Sequence, residues 1–201
     1  MTDYFLSRAA EWDKPEKIKM ADNFVNEVLQ YVKPFSDWKG LEIGAGTGLV
    51  GLQILPLIDS LVCVDTSQAM LDVLCKKVRE NDNVTLVLGD MELYTKQDID
   101  FVFSNMTFHH IENIPGLLRH VAKVTKKGAV VAIGDIRTED GSFHRFDPIP
   151  HKGFDTDKLS LQFEDAGFDV KLAKTYHVLR QEKIEGKLSE YEQFILIAGK
   201  R

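Results

Sequence analysis

Five short apolar runs recur along the first two thirds of the chain, each followed by a stretch with helical periodicity, and this alternation limits the fold more than any other feature. The runs are "KGLEI" at 39–43, "SLVCV" at 60–64, "VTLVL" at 84–88, "IDFVFS" at 99–104 and "GAVVAIG" at 128–134. They are rich in Val, Ile and Leu without clean polar alternation, the pattern of strands buried on both faces of a parallel sheet. Amphipathic stretches at 48–55, 67–80, 92–97 and 114–126 lie between them, with Ser67 placed to cap the second. The expected architecture is a doubly wound α/β fold. The end of the chain departs from this rhythm. A helix at about 156–166, closed by Gly167 in "EDAGF", leads into "DVKLAKTYHVLR", which the polar segment 181–190 joins to "YEQFILIAGK". No crossover helix fits there, so the last two strands are expected as an antiparallel hairpin, completing a mostly parallel seven-stranded sheet with one reversed strand.

Composition bounds the rest. With 201 residues, 44% of them hydrophobic, the chain is expected to form one core, burying roughly 70% of its unfolded surface. No run of apolar residues is long enough for a membrane span, and "MTDYFLSRAAEWDK" lacks the basic flank and apolar run of a secretory signal. A cytoplasmic protein without membrane insertion is expected. The net charge of −6 argues against gripping nucleic-acid backbones. Lys76, Lys77, Lys126 and Lys127 read as solvated helix-end residues. Cys63 and Cys75 lack the paired spacing of metal sites, so they read as buried thiols and no metal is expected.

The turn after the first strand carries the strongest functional signal. "LEIGAGTGLVGLQIL", 41–55, places Gly44, Gly46, Gly48 and Gly51 within eight positions. Such a turn sits at the topological switch point of a doubly wound sheet, where ligands approach the carboxyl ends of the strands. The helix N-terminus behind it suits an anionic group. Close helix-strand packing would also explain a glycine, but four together favour a ligand. The dinucleotide spacing G-x-G-x-x-G is met from Gly46, two residues beyond the strand end, whereas E-x-G-x-G-x-G from Glu42 to Gly48 describes the stretch better. A carboxylate from Glu42 at the mouth of the strand would repel a pyrophosphate.

In this the sequence resembles the class I S-adenosylmethionine-dependent methyltransferases, in particular the small-molecule branch with type 11/25-like domains. "LEIGAGTG", with Glu42, Gly44, Ala45, Gly46, Thr47 and Gly48, is similar to the family's first motif, whose backbone lies against the methionine part of S-adenosylmethionine. Asp65, followed by Thr66 at the end of the second strand, matches the acid that takes both ribose hydroxyls. Met70 matches a position near the adenine. In "LGDMEL", Asp90 matches an acceptor for the adenine amino group and Met91 the neighbouring backbone donor. "FVFSNMTFHHI", 101–111, resembles the fourth-strand motif, with Ser104 and Asn105 near the methionine amino group and Thr107 to His110 facing the methyl. The resemblance implies methyl transfer by in-line displacement, with no catalytic side chain obligatory.

Missing motifs demote several acceptors. "SNMT" is not the Asn- or Asp-led diproline motif of enzymes methylating amino groups of bases, and no Pro-Cys nucleophile or cysteine set is present. A small-molecule acceptor remains. Residues 1–36 are expected as a helical segment, either a lid using Tyr4, Phe5 and Trp12 or an ordinary helix on the sheet, and 37–201 as the cofactor-binding domain. The long polar segment 137–155 is expected to serve the acceptor through His144 or His151, beside His109 and His110 as candidate catalytic residues. Two alternatives stay open: an NAD-linked oxidoreductase, although no Tyr-x-x-x-Lys pair is present, and a cofactor-binding module without catalysis.

Overall fold

The computed structural model describes residues 8–144, 149–184 and 186–201. Seven strands form one sheet in the order β3-β2-β1-β4-β5-β7-β6. They are β1 (Lys39–Ile43), β2 (Ser60–Asp65), β3 (Val84–Leu88), β4 (Ile99–Asn105), β5 (Thr125–Ile136), β6 (Phe168–Ile184) and β7 (Lys187–Lys200). The pairs among β1 to β5 are parallel, whereas β7 runs antiparallel to both β5 and β6. The expected sheet with one reversed strand is present.

Alternation along each strand sorts the core into two layers. Leu41, Ile43, Val62 and Val64 point to one face, where α4 (Ile114–Val124) and α5 (Thr156–Asp165) cover them. Leu61, Cys63, Phe101 and Phe103 point to the other, under α1 (Pro15–Tyr31), α2 (Gly51–Ile54) and α3 (Gln68–Lys77). Within α1, Met20, Ala21, Phe24, Val25 and Val28 are buried, so this helix packs on the sheet. Phe24 lies against Gly134, where a Cβ would stand 2.5 Å from its ring; truncating so buried a ring costs about 3–5 kcal/mol. Tyr4 and Phe5 lie outside the described residues.

Several boundaries differ from expectation. The predicted helix 48–55 is shortened to Gly51–Ile54 and a 3₁₀ turn at Leu55–Leu57, because the glycine turn runs on to residue 50. The stretch at 92–97 is only a 3₁₀ turn, Met91–Leu93. Ser67 caps α3 as expected, accepting from the Met70 amide. The segment 181–190 is mostly strand, since pairing continues out to Ile184 and Lys187. Segment 137–155 is zipped at its base: Phe154 donates its amide to Ile136, Thr138 to Phe154 and Glu139 to Lys152. Cys63 is buried, but Cys75 is exposed on α3, which corrects its reading as a buried thiol. Among the described residues, no helix is long and apolar enough to cross a membrane.

Candidate active site

The glycine turn is built by packing on three sides and open on one. A Cβ at Gly44 would stand 2.2 Å from Thr107 Cγ2, one at Gly48 would stand 2.3 Å from Leu74 Cδ1, and one at Gly51 would stand 2.3 Å from Glu42 Oε2. Around Gly46 nothing lies within 4 Å of such a Cβ. Its φ of +54° is strained for any side chain. Close packing therefore accounts for three of the glycines, and only Gly46 presents bare backbone to open space.

Asp65 ties this turn to β2. Its Oδ2 accepts from the Gly46 amide at 2.7 Å and its Oδ1 from the Ser67 amide at 2.8 Å. Burial raises its pKa, and the amide donors, Ser67 foremost, counter that shift. Glu42 does not stand at the mouth of β1. It is 3% exposed beneath Gly51, with one carboxylate oxygen lacking a hydrogen-bond partner. Burial, followed by the charge of Asp65, holds its pKa well above the ordinary carboxylate range.

The remaining predicted donor-site residues are divided. Asp90 precedes the 3₁₀ turn but does not cap it with its side chain, so the exposed carboxylate stays beside the buried Met91. Thr66 is exposed and Met70 is buried in α3. Ser104 is fully buried and donates its hydroxyl to the Ile43 carbonyl at 2.8 Å, tying β4 to β1. Asn105 Oδ1 is buried without a partner. Ala45 is buried under the turn, and its amide donates to the Val64 carbonyl.

An unpredicted contact anchors the N-terminal segment here. Thr47 donates its hydroxyl to Asp13, and Lys77 bridges Asp13 and the Thr47 carbonyl. Lys77 is therefore half-buried and paired, not a solvated helix-end residue.

On the acceptor side, the chain turns sharply after β4. Met106 adopts a left-handed φ of 56°, its amide held by the Gly134 carbonyl at 2.8 Å. Strain of this kind costs about 1–3 kcal/mol and collects at functional sites. The turn seats Thr107 against Gly44 and carries His109 onto Asp135 at the end of β5. His109 Nδ1 lies 2.6 Å from Asp135 Oδ1, and its amide donates to Asp135 Oδ2 at 3.2 Å; both side chains are fully buried. His109 Nε2 lies 3.0 Å from His144 Nε2. His110 completes the group, its ring 4.2 Å from His109 and 5.1 Å from His144. Burial, followed by the neighbouring His109 and His144, pushes its pKa down to about 3. His144 is held in place by Phe143, buried against Tyr191.

His151 does not join this group. Its Nε2 lies 3.0 Å from the Ile111 carbonyl, and its ring packs on Phe154. Asp135 was missed at the sequence level, although a lone acid at the end of an apolar strand was a usable signal.

Residues 41–133 match the model of a methyltransferase domain, spanning β1 through most of β5. The similarity to methyltransferase domains thus covers just under half of the chain. The methyltransferase match sets aside the dinucleotide reading of the glycine turn. Malonyl-[acyl-carrier protein] O-methyltransferase 2 of Ilyobacter polytropus is 33% identical over 94 residues, 45% of this chain and 36% of that protein. The chain thus spans about a third of that relative's length. Among solved structures, an S-adenosylmethionine-dependent methyltransferase from Aquifex aeolicus superposes with a TM-score of 0.73 at 20% identity, all of each chain being covered. A chain of the complex between the Haloferax volcanii Trm112 methyltransferase activator and a methyltransferase reaches a TM-score of 0.82 at 14% identity, covering 100% of this chain and 99% of that one. These likenesses show that the chain has the fold of those proteins.

Proposed function

We propose that the protein transfers a methyl group from S-adenosylmethionine to a small-molecule acceptor. The observation that carries this reading is the open backbone at Gly46, held by Asp65 at the end of β2, with Asp90 following the neighbouring strand β3, within a stretch that matches a methyltransferase domain. S-adenosylmethionine supplies an activated methyl on a sulfonium sulfur. The Gly44–Gly48 turn takes the methionine end, Asp65 the ribose hydroxyls, and Asp90 with the Met91 amide the adenine edge. The unpartnered oxygens of Glu42 and Asn105 are acceptors suited to bound water or the cationic amino group. In a buried site such acceptors are costly unless partnered.

The histidine cluster faces the acceptor. An acceptor heteroatom gives up its proton to solvent water, its lone pair forms the bond to the methyl carbon, and the carbon–sulfur bond breaks with its electron pair left on sulfur. Alignment of the two reactants supplies about 7–11 kcal/mol of such a barrier. Relatives named for O-methylation of malonyl-acyl-carrier protein support a small acyl acceptor group, whereas others are named ribosomal RNA small subunit methyltransferase A, so the choice between them rests on the charge of this chain. The net charge of −6 favours the small acceptor.

Calorimetry with S-adenosylmethionine and NAD in parallel tests the donor: one S-adenosylmethionine per chain is expected, and binding of NAD instead would overturn the reading. Labelled methyl transfer into a metabolite extract tests the acceptor. Label found only in RNA, or on protein side chains rather than on a carried acyl group, would overturn the small-molecule assignment.

A further inference from the structure

From the arrangement of His109, His110 and His144 we infer that the protein binds one divalent transition-metal ion, of the zinc or cobalt kind, beside the methyl-donor cleft. The three imidazoles offer ligand atoms that all lie within 4.8 Å of one another. They come from two separate stretches, the turn after β4 and the loop after β5, and converge only through the fold.

Asp135 supplies the second, independent observation. Its carboxylate accepts a hydrogen bond from the His109 Nδ1–H at 2.6 Å, and with the proton kept on Nδ1 the lone pair lies on Nε2, the nitrogen turned toward His144. A buried carboxylate behind a histidine is the arrangement that orients metal-bound imidazoles and raises their basicity. The Nε2–Nε2 separation of 3.0 Å is a few tenths of an ångström below the roughly 3.3 Å edge of a tetrahedron with zinc–nitrogen bonds of about 2.0–2.1 Å. A small outward rotation of His144 accommodates the ion.

The donor set selects the metal. Three imidazoles suit zinc, cobalt, nickel, copper or iron and not magnesium or calcium, which take oxygen ligands. His151 is engaged with the Ile111 carbonyl and does not complete the set. Three protein ligands leave one position for an exogenous group, as catalytic zinc sites do. Because Thr107, two residues before His109, lies on Gly44, that position adjoins the donor cleft. The ligand class is an acceptor with a hydroxyl or thiol, whose pKa the ion lowers. This role in methyl transfer rests on the function proposed above; the metal site itself does not.

The test is titration of untagged, chelator-stripped protein with Co²⁺, followed by visible absorption, alongside calorimetry with S-adenosylmethionine. One equivalent of Co²⁺ per chain is expected, displaced by Zn²⁺, and lost in His144→Ala and His110→Ala variants whose melting curves remain cooperative. Asp135→Asn is expected to weaken Co²⁺ binding 10–100-fold. Absence of a Co²⁺ spectrum in the wild-type chain, or its persistence in His144→Ala, overturns the site. Co²⁺ binding without S-adenosylmethionine binding would leave the metal site standing and remove the methyltransferase reading; the reverse result would do the opposite.

Discussion

Asp65 and Gly46 are joined by a 2.7 Å hydrogen bond from the Gly46 amide to the carboxylate Oδ2, so the acid proposed for the ribose also holds the one open position of the glycine turn. The other carboxylate oxygen takes the Ser67 amide and fixes the start of α3. A single side chain thus sets both the shape of the donor cleft and its charge.

Asp65→Ala is expected to weaken S-adenosylmethionine binding by about a hundredfold or more, since two hydrogen bonds to a charged group are lost, worth about 1.5–3 kcal/mol each. Calorimetry reads this directly. Unchanged affinity would remove the ribose role and leave Asp65 as a loop anchor only.

Gly44 and Gly46 are expected to fail differently. Gly46→Ala carries only the cost of a side chain at positive φ, about 1–2 kcal/mol, because nothing lies within 4 Å of the new Cβ. Gly44→Ala adds a clash with Thr107. Thermal unfolding should therefore show the larger drop for Gly44→Ala. Gly46→Leu, by contrast, should fold and lose the stabilisation that S-adenosylmethionine confers on the wild type. A Gly46→Leu chain that still melts higher with ligand would place the cofactor elsewhere.

Glu42 makes stability depend on pH in a defined direction. Its pKa in the folded chain lies above the ordinary carboxylate value of 4.5. The unfolded chain therefore releases this proton first, and the stability linked to it is present below about pH 4.5 and lost as pH rises through the folded pKa. Glu42→Gln keeps the shape and carries no titrating proton. Its melting temperature relative to wild type should rise between pH 5 and pH 8; a difference constant with pH would show that Glu42 is not protonated in the fold.

Asp13 is expected to govern the N-terminal segment. Asp13→Ala removes the partner shared by Thr47 and Lys77, a half-exposed pair worth about 0.2–1 kcal/mol. Global stability should change little, while hydrogen exchange at residues 9–14 should accelerate. Unaltered exchange there would mean that α1 alone holds the segment.

Much of this molecule was legible along the chain. The apolar runs placed the strands; β1, β2 and β4 have the composition of strands buried on both faces, whereas β3 and β6, at the edges of the sheet, carry mostly half-buried and exposed residues. The reversed strand followed from the shortness of segment 181–190. The lengths of the elements were less legible: α2 starts late because Gly48 still belongs to the turn, with a φ of 84° and its backbone packed against Leu74, 26 residues further along the chain. Lys77 read as a solvated cation because its partner Asp13 stands 64 residues away.

By itself the sequence determined the order of elements, the site of the glycine turn and the acids that border it, since each depends on residues close together along the chain. Only the tertiary structure decided that Gly46, of the four glycines in the turn, faces open space and that His109, His110 and His144 come together beside Asp135 while His151 does not. Those contacts span 26 and 35 residues. They exist because Asn105 pairs with Gly134 across β4 and β5, because Met106 then turns with positive φ, and because Phe143 is pinned against Tyr191. Register, a strained turn and a packed loop end are properties of elements meeting, and no local pattern encodes where they meet.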